Sequence, residues 1–136
     1  METLIDPVDC KIIENELKYA KFLRVSRMGN NEIYSVNGGK NTFTMDEIGR
    51  LRELTFRQSG GGIGASKDID NFDKLPNGYK QLIVWDPKDK CILGGYRFRS
   101  FENDKNIELQ QLATGEVYDI SQDFENDYLR YTIDLG

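Results

Sequence analysis

The 136 residues read as an α/β domain of the α+β kind, built from two hairpins with helices between and after them. Three observations predict this. Residues 21–26 and 32–36 alternate apolar and polar side chains around a Gly29-Asn30-Asn31 turn, the pattern of an antiparallel hairpin. Ile48, Leu51 and Leu54 recur at helical spacing in the next segment. Residues 81–86 and 91–100 are rich in β-formers and flank Pro87-Lys88-Asp89-Lys90, a hairpin turn.

The remaining elements follow in chain order. Asp9 is placed to cap a short helix running to about Tyr19, with Ile13 and Leu17 on one face. Asn37-Gly38-Gly39 closes the first hairpin. Thr44-Met45-Asp46-Glu47 has the form of a capping box, so the long helix is expected to open at Thr44 and to end near Gln58, before Gly60-Gly61-Gly62. The apolar runs of the second hairpin predict central strands covered on both faces. Residues 102–108 are polar and predict a mobile loop. Glu116–Ile120 predicts a short strand, Ser121 a cap for a helix with Phe124 and Tyr128 on one face, and Tyr131–Leu135 a last strand. No repeat or long linker divides the chain.

Composition narrows the function. Apolar residues make up 38% and charged residues 30%, a globular balance large enough for one domain with a core. A net charge of −5 disfavours nucleic acid, whose binders carry a basic patch. No apolar run is long enough to span a bilayer, and the start METLIDPVD has neither the basic nor the apolar region of a signal peptide. Cys10 and Cys91 lack paired spacing, and histidine is absent, so a zinc site is not expected and the thiols read as free and cytosolic. Without histidine, a general base must be a carboxylate, tyrosine, lysine or bound water.

Two segments invite a chemical reading. GGGIGASK follows a helix instead of opening one, and matches neither G-x-x-x-x-G-K-[ST] nor G-x-G-x-x-G, which argues against a phosphate loop. It is either a helix stop with a flexible connection or a lid over a substrate channel. The cluster Asp68, Asp70 and Asp73 lacks EF-hand spacing. It is either a solvated loop or an anionic patch that pairs with arginines or holds an ammonium group. Arg52 and Arg97 are the expected partners, since an arginine buried in the strand 92–98 needs a counter-ion.

The order of these features resembles the N-terminal half of the GNAT-like acyltransferases that make ornithine lipids and N-acyl amino acids, a family often labelled haemolysins. The resemblance to acyl-homoserine-lactone synthases is more distant. Arg52 and Phe56 match an arginine and phenylalanine on the family's first long helix. Asp70, Phe72 and Asp73 match its D-x-x-D pair with an aromatic before the second aspartate. Gly94-Gly95-Tyr96-Arg97 matches its G-x-Y-R strand end. Ile133-Asp134-Leu135-Gly136 resembles the start of a strand that carries a carboxylate, with aspartate where glutamate is usual. The match runs over about 41–136, whereas residues 1–40, the first helix and hairpin, add little to it.

The resemblance implies a GNAT-like α/β/α layering around a mostly antiparallel sheet, of which this chain is expected to be the N-terminal portion. It implies transfer of a fatty acyl group from acyl carrier protein or acyl-CoA to the amine of an amino acid such as ornithine or glycine. No tightly bound cofactor is expected. Asp134 is then the candidate proton acceptor, and Arg52, Phe56, Asp70, Phe72, Asp73 and Arg97 the candidate substrate-binding cluster. The family's thioester-binding segment lies beyond the match, so the chain alone is expected to be inactive. Lipid synthesis implies a cytoplasmic protein with peripheral contact to the inner membrane, and an open sheet edge invites self-association. A non-catalytic GNAT-like module and a signal synthase using S-adenosylmethionine are the alternatives. The latter family carries a tryptophan soon after the first helix, whereas Trp85 is the only one here.

Overall fold

The computed structural model describes residues 1–74, 78–102, 109 and 112–136. Asp9 opens α1 (Cys10–Leu17), its carboxylate accepting the Lys11 N–H at 2.8 Å. The first hairpin is β1 (Lys21–Val25) and β2 (Glu32–Asn37), and Asn30 adopts the left-handed conformation (φ 54°) that its turn requires.

The long helix α2 spans Thr42–Gln58, its N-cap Asn41 standing three residues before the cap that the box implied. No local side chain caps it. The Glu16 carboxylate, from α1, accepts the N–H groups of Phe43 (3.1 Å) and Thr44 (2.7 Å) and the Thr44 hydroxyl (2.6 Å). A carboxylate outcompetes a local hydroxyl there because it has two oxygens for two orphan N–H groups and a charge that suits the positive end of the helix dipole. Glu47 turns instead to the Val8 N–H and to Arg50.

A four-residue turn of helix, α3 (Asn71–Lys74), precedes β3 (Lys80–Asp86) and β4 (Cys91–Ser100). Asp86 closes their hairpin by accepting the N–H groups of Lys88 and Asp89 at 2.8 and 3.1 Å. The fifth strand, β5 (Ile133–Leu135), completes an antiparallel sheet of order β1-β2-β3-β4-β5. It pairs only with Phe98–Ser100, so most of β4 has no strand on that side among the described residues.

The helices α1 and α2 pack on one face of the sheet. Ile13 and Leu17 of α1, Met45 and Ile48 of α2, and Val36, Ile83 and Trp85 of the strands form one buried cluster. The expectation that β3 and β4 are covered on both faces is therefore corrected. In β3, buried Gln81, Ile83 and Trp85 alternate with half-buried Leu82 and Val84. In β4, Leu93 and Tyr96 are 54% and 69% exposed.

A smaller cluster, Phe101, Leu112 and Leu129, closes the far end. There Ser121 caps α4 (Gln122–Asp127) through the Phe124 N–H, and Phe124 stacks on Tyr128 with ring centroids 6.0 Å apart. The strand expected over Glu116–Ile120 does not form. The N–H groups of Glu116, Val117 and Tyr118 bond back to Ala113 and Thr114 in a tight 3-10 turn, and the Val117 and Tyr118 side chains are exposed. A second 3-10 turn at Leu129–Tyr131 shortens the predicted last strand. The loop expected over 102–108 falls, beyond Glu102, outside the described residues.

One glycine positions the acidic segment. Gly49, buried in mid-helix, accepts the Asp68 N–H through its carbonyl at 2.9 Å, and a Cβ there would lie 2.6 Å from Ile69 Cγ1 and 3.1 Å from the Asp68 carbonyl oxygen. Alanine ordinarily stabilises a helix interior over glycine by about 1 kcal/mol. Here overpacking against a backbone oxygen outweighs that gain, and Gly49→Ala is expected to cost about 1–3 kcal/mol in urea unfolding. A variant as stable as the parent would show that the 68–69 segment moves off the helix without cost.

Candidate active site

The charged residues singled out in the sequence converge beside Arg52 of α2. Arg52 projects from the helix between two carboxylates, with Nη1 3.0 Å from Asp73 Oδ2 and Nε 3.4 Å from Asp68 Oδ2. Arg97, from β4, contacts Asp70 at 2.5 Å and lies 3.7 Å from Asp73. The short α3 turn makes this possible: Asp70 and Asp73 accept each other's backbone N–H at 3.1 and 3.2 Å, which fixes both carboxylates. The Asp73 side chain is fully buried, and its second oxygen takes the Gln81 amide at 2.8 Å. Two guanidinium groups thus face three carboxylates.

The environment separates these carboxylates. Burial tends to raise Asp70, but the Arg97 contact and the Asp73 N–H outweigh it and hold the carboxyl below its ordinary range. Asp68 is raised, because burial dominates the opposing charge of Arg52. Arg97 is raised despite burial, which acts in the opposite direction, by Asp70 and Asp73. Its guanidinium also lies over the rings of Tyr79 (5.2 Å) and Phe72 (5.5 Å), so Phe72 shares in the cluster through its face. The buried Arg97 Nε–H has no hydrogen-bond partner among the described residues.

This cluster closes one end of a groove of about 500 Å³ between α2 and β4. Ile48, Leu51 and Phe56 form the helix wall, and Ile83, Ile92 and the bare backbone of Gly94-Gly95 form the floor. Phe56 is half-exposed at the rim. A volume of this size, apolar with a few convergent polar groups, is typical of a small-molecule site.

Asp134 lies apart from that cluster. It is buried on β5 and borders a second pocket, of about 480 Å³, with Thr114, Phe124 and Ile133. Its carboxylate accepts hydrogen bonds from the hydroxyls of Tyr79 and Thr114, and the Thr114 N–H lies 3.4 Å away. Tyr79 stands between the two regions, its hydroxyl on Asp134 and its ring beneath Arg97. Gly136, on the same face of β5 as Asp134, donates its N–H to the Arg97 carbonyl at 3.2 Å. A Cβ at this position would lie 2.5 Å from Arg97 Nε, so a small residue is required two places after the carboxylate.

Sequence reasoning placed Arg52, Asp70, Asp73 and Arg97 in one cluster and missed Tyr79, Gln81 and Thr114. Tyr79 and Thr114 carry no motif, and only the fold brings them to Asp134. The glycine loop wraps a carboxylate: Glu53, fully buried, accepts the N–H groups of Ile63 (3.0 Å) and Gly64 (2.8 Å) and pairs with Arg57 at 2.7 Å. The Arg57 contact, outweighing burial and helped by those two N–H groups, holds the Glu53 carboxyl below its ordinary range. Positive φ at Gly60, Gly62 and Gly64 lets the backbone turn its amides inward. Of the two readings of the loop, its geometry is that of an anchored helix stop. Among the described residues no group of three or more acidic or cysteine side chains is arranged to hold a metal, and no helix is long and apolar enough to cross a membrane.

A five-stranded antiparallel sheet flanked by helices, with a groove between α2 and β4, defines an α/β domain. The chain belongs to the acetyltransferase (GNAT) domain family, whose model matches residues 51–136. It is similar to the glycine N(alpha)-acyltransferase of Phocaeicola vulgatus, 42% identical over 142 residues that cover all of this chain and 42% of that protein. It is also 42% identical over 138 residues to the glycine N(alpha)-acyltransferase of Bacteroides thetaiotaomicron, covering all of this chain and 41% of the relative. The chain thus spans about two fifths of the length of these curated relatives. No solved structure matches it.

Proposed function

We propose that this chain forms the acceptor-binding part of an N-acyltransferase that moves a fatty acyl group from a thioester to the amine of a small amino acid, glycine first among them. The observation that carries this is the ion cluster at the end of the α2–β4 groove in a chain so similar to two glycine N-acyltransferases. An amino acid brings an ammonium and a carboxylate. The Asp70 side chain, 39% exposed, offers the first a partner, and the 24%-exposed edge of Arg52 offers the second one. The deprotonated amine attacks the thioester carbonyl, the N–C bond forms as the C–S bond breaks, and the amine proton passes to a base as the thiolate leaves. Asp134 is the base in this scheme, a carboxylate being one of the side chains able to accept that proton. No covalent enzyme intermediate is required. Acyl carrier protein or acyl-CoA is the donor.

The test is an assay of the complete reading frame containing this chain, with acyl carrier protein thioester and acyl-CoA in separate arms and a panel of amino acids that includes glycine and ornithine. The expected result is an N-acyl amino acid in at least one arm, detected by mass spectrometry. No product from any pair, with amino-acid binding retained, would favour a non-catalytic binding module instead.

A further inference from the structure

Tyr79 is engaged by its hydroxyl and by its ring, yet nothing in its sequence context marks it. The residue is 3% exposed. Its hydroxyl donates to Asp134 Oδ2 and accepts the Ala113 N–H at 2.8 Å. Arg97 lies over its ring at 5.2 Å, and Phe72 meets the ring edge-on at 5.8 Å between centroids. Arg97 in turn holds Asp70. One rigid side chain therefore touches the base candidate through its oxygen and the acceptor cluster through its face. Thr114 holds the other oxygen of Asp134.

We infer that Tyr79 is a positioning residue that fixes the Asp134 carboxylate in one rotamer and registers it against the Arg97–Asp70 end of the groove. This rests on the acyltransferase reading for its purpose, but not for its physical content. A carboxylate has about four lone-pair sites, so two hydroxyl donors and a distant N–H leave one for an amine proton. An aromatic side chain suits the task because it has only two soft torsions, both stopped here by contacts, and so orients the oxygen at small entropic cost. The Ala113 N–H takes up an acceptor site of the hydroxyl oxygen, which directs its proton to Asp134. Burial first, and the bond to Asp134 second, raise the Tyr79 hydroxyl well above its ordinary range, so it stays a donor at any working pH.

Other charged groups also bear on Asp134. Arg99 is its cross-strand neighbour on β4, Arg97 lies behind Tyr79, and Asp119 borders the same pocket. A change made at Tyr79 leaves all three in place. Removing the hydroxyl alone therefore isolates its effect.

The experiment is side-chain NMR of this chain at one pH, with the Asp134 carboxylate carbon assigned by comparison with Asp134→Asn. In the parent, the Asp134 Hβ couplings should report a single χ1 rotamer. Tyr79→Phe removes a donor from that carboxylate, so its carbon signal should move and the couplings should average among rotamers. The Arg97 and Asp70 signals should stay unchanged, because the ring remains. Tyr79→Leu, which removes the ring as well, should additionally broaden or shift the Arg97 side-chain signals. Parent couplings that already show averaging would overturn the proposal, and that measurement needs no variant to fold. So would Asp134 signals in Tyr79→Phe, or Arg97 signals in Tyr79→Leu, that match those of the parent. None of these readouts needs turnover. The expected changes in a protein that acylates nothing would sink only the functional reading.

Discussion

Replacing Asp134 with asparagine is expected to lower kcat in the active enzyme by about 10²–10⁴-fold, the range for loss of a general base. In the proposed scheme this carboxylate is the base, and the Tyr79 and Thr114 hydroxyls hold it in place on β5. Asparagine is nearly isosteric and retains one acceptor oxygen, and the Tyr79 and Thr114 hydroxyls can each accept as well as donate. The fold should therefore survive, as a dispersed amide spectrum would show. Both constants for the amine need to be measured across pH. A group that only binds substrate would reveal itself as a raised KM with kcat retained. Wild-type kcat at every pH would remove Asp134 from the chemistry and leave an ordered water as the acceptor.

Arg52→Ala is expected to destabilise the chain by about 3–5 kcal/mol, the cost of stripping a partner from a buried charge. The loss falls mainly on Asp73, whose side chain has no exposure and retains only the Gln81 amide, the Asp70 N–H and the more distant Arg97. Urea unfolding measures it directly. A change under about 1 kcal/mol would place Arg52 among ordinary surface pairs. Arg52→Lys should recover only part of the loss, since an ammonium lacks the fork that spans Asp68 and Asp73. The variant should also respond differently to acid. The depressed Asp70 carboxyl contributes stability that is complete above the unfolded carboxylate range and disappears as pH falls through its lower folded value. Arg52 is one of the charges that hold Asp70 down, so without it the contribution is smaller and disappears at a higher pH.

Both effects concern residues that were visible in the sequence, but for different reasons. Arg52, Asp70, Asp73 and Arg97 stood out as opposite charges in a strand, a helix and the loop between them, and burial in a strand requires a counter-ion. Their partnership follows from that rule, although the pairing itself, Arg52 with Asp73 and Arg97 with Asp70, depends on the α3 turn that aims the two carboxylates apart. Asp134 entered only through a family resemblance. Its position on β5, away from the cluster and linked to it by Tyr79, has no local signature.

Local patterns determined the elements wherever a single segment holds all the information. The 2.0 and 3.6 periodicities place the two hairpins and the long helix almost at their observed bounds, and the caps at Asp9 and Ser121 form as the sequence implies, because donor and acceptor lie within three residues of each other. Tertiary structure decided whatever depends on a partner distant in the chain. Glu16 of α1, not the local Thr44–Glu47 box, caps α2. Both helices choose one face of the sheet, and β4 is left largely exposed although its composition suggests a core strand. A segment with strand-like composition at 116–120 becomes a tight turn whose N–H groups bond back to Ala113 and Thr114. Tyr79 and Thr114 meet Asp134 only when β5 docks against β4. In each case the deciding term is a hydrogen bond or burial that exists only after a long loop has closed, and such a term leaves no periodicity in the sequence to be read.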